Sequence, residues 1–267
     1  MTAGFTAIVL AGDRGAGDPV ARAAGSSCKA LASVGGRPMV LRVIDALRAS
    51  EAVASVLLVG PERSRLEGCE ELRELVAAGT VRWMATAASP AASAFAALEA
   101  IPASTPVLLT TADHALLDAA MVDHFCAAAR ASGRDVVAGV AAHEAVVAAC
   151  PGVRRTALRL AGESICGCNL FAFLTPNGRD VADFWRRVEA HRKRPLRVVG
   201  ILGWRAVLRY ALGRLSLAEA LAHLSRLTGR DLGVVRMPFP EAAVDVDTPE
   251  DLAYVRARLA GERTLGG

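Results

Sequence analysis

Short β-branched runs alternate with longer helical patterns through the first half of the chain, and this alternation restricts the fold more than any other feature. "TAIVLAG" (6–12), "VASVLLVG" (53–60), "PVLLTTAD" (106–113) and "DVVAGVAA" (135–142) read as strands. Between the first two, "RPMVLRVIDALRAS" sets Met39, Val40, Val43, Ile44 and Leu47 on one helical face. Strand–helix–strand alternation implies a mostly parallel sheet covered by helices. In such sheets ligands bind beyond the carboxyl ends of the strands. The segments to question are therefore Gly12 to Lys29, Gly60 to Glu62, and Asp113.

A chain of 267 residues with 53% hydrophobic content has material for one large core, so a single domain spanning 1–267 is expected. The pattern changes at about 178–232, where a helical insertion rich in arginine and large apolar groups is expected, with Pro195 as a break. Its Arg, Trp185, Trp204, Val and Leu stripe suits core packing, a homodimer face or a membrane surface. A strand and a final helix follow, the helix opened by "TPEDL" with Thr248 as cap and Pro249 first. The net charge of +4 suits anionic ligands, but the cations form no tract that demands nucleic acid. Six scattered cysteines show no metal-binding spacing and read as reduced packing residues. With no signal-peptide pattern and no uninterrupted membrane-length apolar run, a cytoplasmic location is expected.

The first loop is rich in glycine, which lets backbone N–H groups approach a phosphate; Gly12, Gly15 and Gly17 suit that role or that of a plain strand–helix turn. It lacks the ending of a P-loop, and Val59-Gly60-Pro61 stands where a dinucleotide fold places a ribose-binding acid. Lys29 is one of two lysines in an arginine-dominated chain. Asp113 ends an apolar strand, where a carboxylate needs a cation or serves as a helix cap. Asp245 and Asp247 alternate with valines, so on a strand both point to one side. Ser89 and Ser93 sit in a small-residue loop before a helix, open to capping or ligand contact. Arg154 and Arg155 are a solvated pair or a phosphate contact. No histidine forms a credible triad or ligand set.

"LAGDRG", "CKAL" and "VGGRPMVLRVIDAL", in that order, resemble the opening signature of the MobA-like nucleotidyltransferases of GT-A type, which include molybdenum-cofactor guanylyltransferases and small-molecule cytidylyltransferases. "LLTTADHALLDAAMVDHF" and "VDVDTPEDLAYVRARL" resemble the family's metal-binding strand end and closing helix. The resemblance implies a Rossmann-like GT-A fold, a mostly parallel mixed sheet flanked by helices. It implies Mg²⁺ held by Asp113 and Asp247 with Asp245 nearby, and Lys29 and Arg14 on the nucleotide phosphates. It also implies an NTP bound by Leu10, Ala11, Gly12, Asp13, Gly15, Gly60, Ser89 and Ser93. A small phosphorylated acceptor would meet Asn169, Arg154 and Arg155. Asp13 replaces the family's usual second glycine, and Arg14 comes earlier than its usual arginine. CTP with a phosphoglycerate-like acceptor is the expected pair. The alternatives are a guanylyltransferase, a GT-A glycosyltransferase and a non-catalytic nucleotide-binding homologue.

Overall fold

A computed structural model of the chain describes residues 3–12, 17–191 and 194–265. The chain opens with β1 (Phe5–Leu10), α1 (Pro19–Ala24), the hairpin β2 (Ser33–Val34) and β3 (Arg37–Pro38), and α2 (Met39–Ala49). It continues through β4 (Val53–Val59), α3 (Arg63–Leu66), α4 (Glu70–Ala77), β5 (Val81–Met84), α5 (Pro90–Glu99) and β6 (Val107–Thr111). Then come α6 (Ala119–Ala131), β7 (Val136–Ala142), α7 (His143–Ala149), β8 (Leu158–Leu160) and β9 (Glu163–Phe173). The helices α8 (Asp180–Ala190), α9 (Pro195–Leu202), α10 (Trp204–Ala211) and α11 (Leu217–Thr228) separate β9 from β10 (Leu232–Arg236), and α12 (Pro249–Leu265) closes the chain.

The sheet runs β10-β7-β9-β6-β1-β4-β5, with β8 hydrogen-bonded to β9 off this path. β1 pairs in parallel with β4 and β6, β4 with β5, and β10 with β7; β9 is antiparallel to both β6 and β7. It is thus a mostly parallel mixed sheet flanked by helices. Period-2 alternation sorts β1 between the two faces: Phe5, Ala7 and Val9 join one apolar layer with α2 and α6, while Ile8 joins the other with α5. The stripe expected of α2 is buried as a set, Met39, Val40, Val43, Ile44 and Leu47 all being fully covered. Each such side chain contributes roughly 1.5–3 kcal/mol.

Two local expectations change, and one cap is new. The segment carrying Asp245 and Asp247 is extended but pairs with no strand; Val244 and Val246 are fully buried, which preserves the alternation without a ladder. Asp113 does not cap a helix: Asp118 caps α6 by accepting from the Met121 N–H at 2.8 Å, leaving residues 113–117 as a turn segment. α1 is capped by Asp18, whose carboxylate accepts from Val20 and Ala21 at 2.9 and 3.1 Å, with Pro19 first in the helix. All six cysteines are reduced, and five are buried. Among the described residues no helix is long and apolar enough to cross a membrane.

Candidate functional site

Lys29 begins a short 3₁₀ turn, Lys29–Leu31, whose preceding residue Cys28 is fully buried. The approach is pinned: Gly25 ends α1 in the left-handed region at φ 64°, and the Ser26 hydroxyl donates to the Cys28 carbonyl at 2.9 Å. The Arg65 guanidinium adds a bond to the Ser27 carbonyl. This local framework fixes the Lys29 backbone and sends its ammonium to the carboxyl edge of the sheet. There Nζ donates to Asp113 Oδ2 at 2.5 Å and to Asp247 Oδ1 at 2.6 Å. Burial disfavours the charged ammonium, but the two carboxylates outweigh that cost and hold the Lys29 pKa above the ordinary lysine value.

Asp113 and Asp247 arrive from distant segments that the backbone joins directly, since the Val246 N–H donates to the Asp113 carbonyl at 3.1 Å. Asp113 Oδ1 is buried without a hydrogen-bond partner. A buried carboxylate oxygen left this way is costly unless a cation meets it. Among the described residues no group of three or more His, Cys, Asp or Glu side chains forms a complete metal cage. Two carboxylates brought to one ammonium, one of them with an orphaned oxygen, do fit a hard cation such as Mg²⁺, which takes one or two carboxylates and completes its shell with phosphates and water.

Asp245 meets different partners. The Arg155 guanidinium bonds both its carboxylate and its backbone carbonyl, and reaches Asp251 Oδ1 at 3.2 Å. Asn169 Nδ2 donates to Asp245 Oδ2 at 2.8 Å. Asn169 is the one non-glycine described residue with positive φ, 49°, and lies where the β7–β9 register is irregular. Such an irregularity re-aims a side chain off the sheet, and asparagine tolerates that conformation. Asp251 in turn accepts from the backbone of Asp247 and Thr248 at 3.1 and 2.9 Å, while Thr248 Oγ1 accepts from the Asp251 N–H at 3.1 Å. This reciprocal cap ties α12 to the segment holding Asp247. Burial pushes the Asp245 carboxyl upward, opposed by Arg155.

Arg155 thus meets three protein acceptors, and Asn169, also expected on the acceptor side, donates to Asp245. Arg154 beside it is exposed. Leu10 and Ala11 extend the sheet edge: the Ala112 N–H donates to the Leu10 carbonyl and the Ala11 N–H to that of Val59, at 2.9 and 2.8 Å. A Cβ on Gly12 would find only Thr86 Cγ2, 3.8 Å away. Gly60 is the opposite case: at φ 78° its Cβ would sit 2.7 Å from Thr86 Cγ2 and 2.9 Å from the Ala11 carbonyl oxygen, so tight packing explains that glycine. Ser89 caps α5, accepting from the Ala92 N–H at 3.2 Å, and Ser93 is buried and accepts from the Ala87 N–H at 2.9 Å. Both serines thus shape the loop after β5. Asp13, Arg14 and Gly15 lie outside the described residues.

Two contributors escape a reading of the sequence. Asp251 looks like an ordinary first-turn acid yet anchors Asp247. Glu189, near the end of α8, accepts from the Ser89 hydroxyl and from the Ala91 N–H, the latter at 3.1 Å, and so fastens α8 to the start of α5. The "DP" of Asp18-Pro19 did carry a readable capping signal; Glu189 carried none, because its partners lie about a hundred residues earlier.

Comparison with known proteins matches the MobA-like NTP transferase domain over residues 7–232. Asp245 and Asp247 lie beyond that match. A solved hypothetical transferase from Thermus thermophilus is 33% identical, with a TM-score of 0.77, covering 93% of this chain and 99% of its own. CMP:2-keto-3-deoxy-manno-octonic acid synthetase, solved with CTP, is 16% identical with a TM-score of 0.57, covering 97% of this chain and 99% of its own. The 4-diphosphocytidyl-2C-methyl-D-erythritol synthase of Anaerococcus prevotii is 13% identical with a TM-score of 0.55, covering 96% and 99%. Those two likenesses establish the shared GT-A-like architecture. No curated protein matches the sequence significantly.

Proposed function

This chain belongs to the MobA-like NTP transferase family and is a nucleotidyltransferase, and on that premise we propose that it transfers CMP from CTP to a small phosphorylated acceptor of the phosphoglycerate type, releasing pyrophosphate. The observation that carries this reading is the Lys29 ammonium held between Asp113 and Asp247 at the carboxyl edge of the sheet. Two acids and one cation converging there suit a reaction that redistributes phosphate charge. The choice of CTP draws support from the two structurally similar cytidylyl enzymes, one of them solved with CTP.

Asp113 and Asp247 are the residues that would hold Mg²⁺. Bound there, the ion would neutralise the triphosphate and polarise its phosphoryl oxygens. Lys29, a compact charge on a flexible stem, moves from the carboxylates to the phosphates as substrate arrives and balances charge on the departing pyrophosphate. An acceptor phosphate monoester is ionised near neutral pH and attacks the α-phosphorus without a protein base. Gly12 leaves room for the triphosphate to approach the backbone. The loop after β5, shaped by Ser89 and Ser93, faces the base. Arg155 and Asn169 act by fixing Asp245, and with it the segment that presents Asp247.

Incubation with Mg²⁺, each of the four NTPs and a panel of phosphorylated acids and polyols tests this reading by pyrophosphate release. CTP with one such acceptor is expected to give turnover. Turnover only with GTP would replace cytidylyl by guanylyl transfer, and none with any NTP would reject the reading.

A further inference from the structure

The helices between β9 and β10 carry a surface that the cleft does not use. From His191 to Ala218 the sequence holds seven lysines and arginines and no acid, whereas the whole chain nets only +4, so the remainder is net acidic. α10 has no buried residue. Trp204, Leu208 and Leu212, at i, i+4 and i+8, line one side of it and are 61, 49 and 59% exposed. Tyr210 is exposed as well. Arg205 and Arg209 flank this stripe; the Arg205 guanidinium lies 5.4 Å from the Trp204 ring centroid, while Arg209 is paired with Glu219 Oε1 of α11 at 2.6 Å. Gly203, at φ 83°, breaks the helix between α9 and α10 and sets the stripe on its own short rod.

We infer that α10, with Arg205 beside it, docks this enzyme on an anionic lipid bilayer, with the Trp204–Leu208–Leu212 stripe at the acyl boundary and Arg205 on a headgroup phosphate. Charge selects this occupant. A second copy of the same face would bring two net-cationic segments together, since Glu219 balances only Arg209, whereas an anionic surface complements both the remaining cations and the apolar stripe. Trp and Tyr also favour the interface between headgroup and hydrocarbon. The geometry gives the docking a use: Glu189 fastens the end of α8, the helix that precedes the basic segment, to Ser89 and Ala91 of the loop after β5 and the start of α5. A lipid-bound enzyme would hold that edge near the membrane. The inference is independent of which NTP is used.

Co-sedimentation of the full chain with neutral phosphatidylcholine vesicles, and with vesicles containing about a third phosphatidylglycerol, tests it. Binding is expected only to the anionic vesicles and should weaken as salt is raised. Leu208→Asp should abolish it. Arg205→Gln, which leaves the stripe intact, should weaken it about five-fold. Both positions are exposed, so unchanged circular dichroism and unchanged pyrophosphate release on soluble substrates are expected, separating this result from any failure of the chemistry. Absence of binding to anionic vesicles would overturn the inference, as would equal binding to neutral ones. A dimer in solution that Leu208→Asp dissociates would assign the face to a second copy instead.

Discussion

Asp245 and Asp247 stand two residues apart on one extended segment, yet they sit in opposite environments. The Asp245 side chain is 19% exposed and is clasped by the Arg155 guanidinium and the Asn169 amide. The Asp247 side chain is 49% exposed and meets the Lys29 ammonium. A guanidinium is a rigid planar fork that holds a carboxylate and a carbonyl at once, whereas an ammonium on a four-carbon stem is a point charge that can change partners. One acid therefore belongs to the scaffold and the other faces the cleft. Alternation with buried valines gives them the same side of the chain; the cation brought to each decides what it does.

The largest effect expected from breaking this contrast is on turnover. Asp247→Asn, and separately Lys29→Met, should each lower kcat about 10²–10³-fold, because one charge stabilising a phosphoryl-transfer transition state carries that much. The thermal midpoint should hardly change in Asp247→Asn, whereas Lys29→Met leaves the poorly exposed Asp113 without its cation and should lower it. Steady-state pyrophosphate release and a melting curve on the same sample check both halves. Near-normal turnover in either variant would remove the distinction between the two acids.

Arg155→Met should do the reverse. It strands Asp245 and Asp251 in a poorly hydrated corner, and the loss of one partner from a buried ion network costs about 3–5 kcal/mol. Denaturant unfolding should show that loss, with turnover falling because Asp247 is no longer held in place. Arg155→Lys should recover only part of the stability, since it cannot bridge both acceptors. Full stability in Arg155→Met would mean that Asp245 is not the fixed member of the pair.

The smallest effect concerns His114, buried beside Asp113 and Arg155. Burial pushes its pKa down from the usual 6.5 to about 4. Its neutral form is favoured on folding, so stability is fully present above about pH 6.5 and is lost as pH falls towards 4, by about 3 kcal/mol in all. Denaturant midpoints measured between pH 7 and 4.5 should fall for the natural chain, and the fall should be shallower in His114→Gln. Parallel profiles would mean that the acid sensitivity arises in the carboxylate corners themselves.

The architecture was legible in the sequence because it rests on local periodicity. Alternating runs specified β1, β4, β6 and β7, the buried stripe specified α2, and "TPEDL" specified the start of α12. Where local signals competed, the chain chose otherwise: Asp118 rather than Asp113 caps α6, because the turn after β6 delays the helix. The closing aspartates kept their alternation but made no strand.

The sequence by itself marked the charged residues of the site: Lys29 by its rarity, Asp113 by the apolar strand it ends, and Asp245 and Asp247 by their alternation with valines. Only the tertiary structure decided the pairings. Lys29 meets acids 84 and 218 positions away, and Arg155 meets one 90 positions away. Those separations are closed by strand order and by the antiparallel β9, whose irregular register turns Asn169 toward Asp245. An ion pair leaves no local mark on either partner, because the energy that selects it exists only once both have been carried into the same partly dehydrated corner.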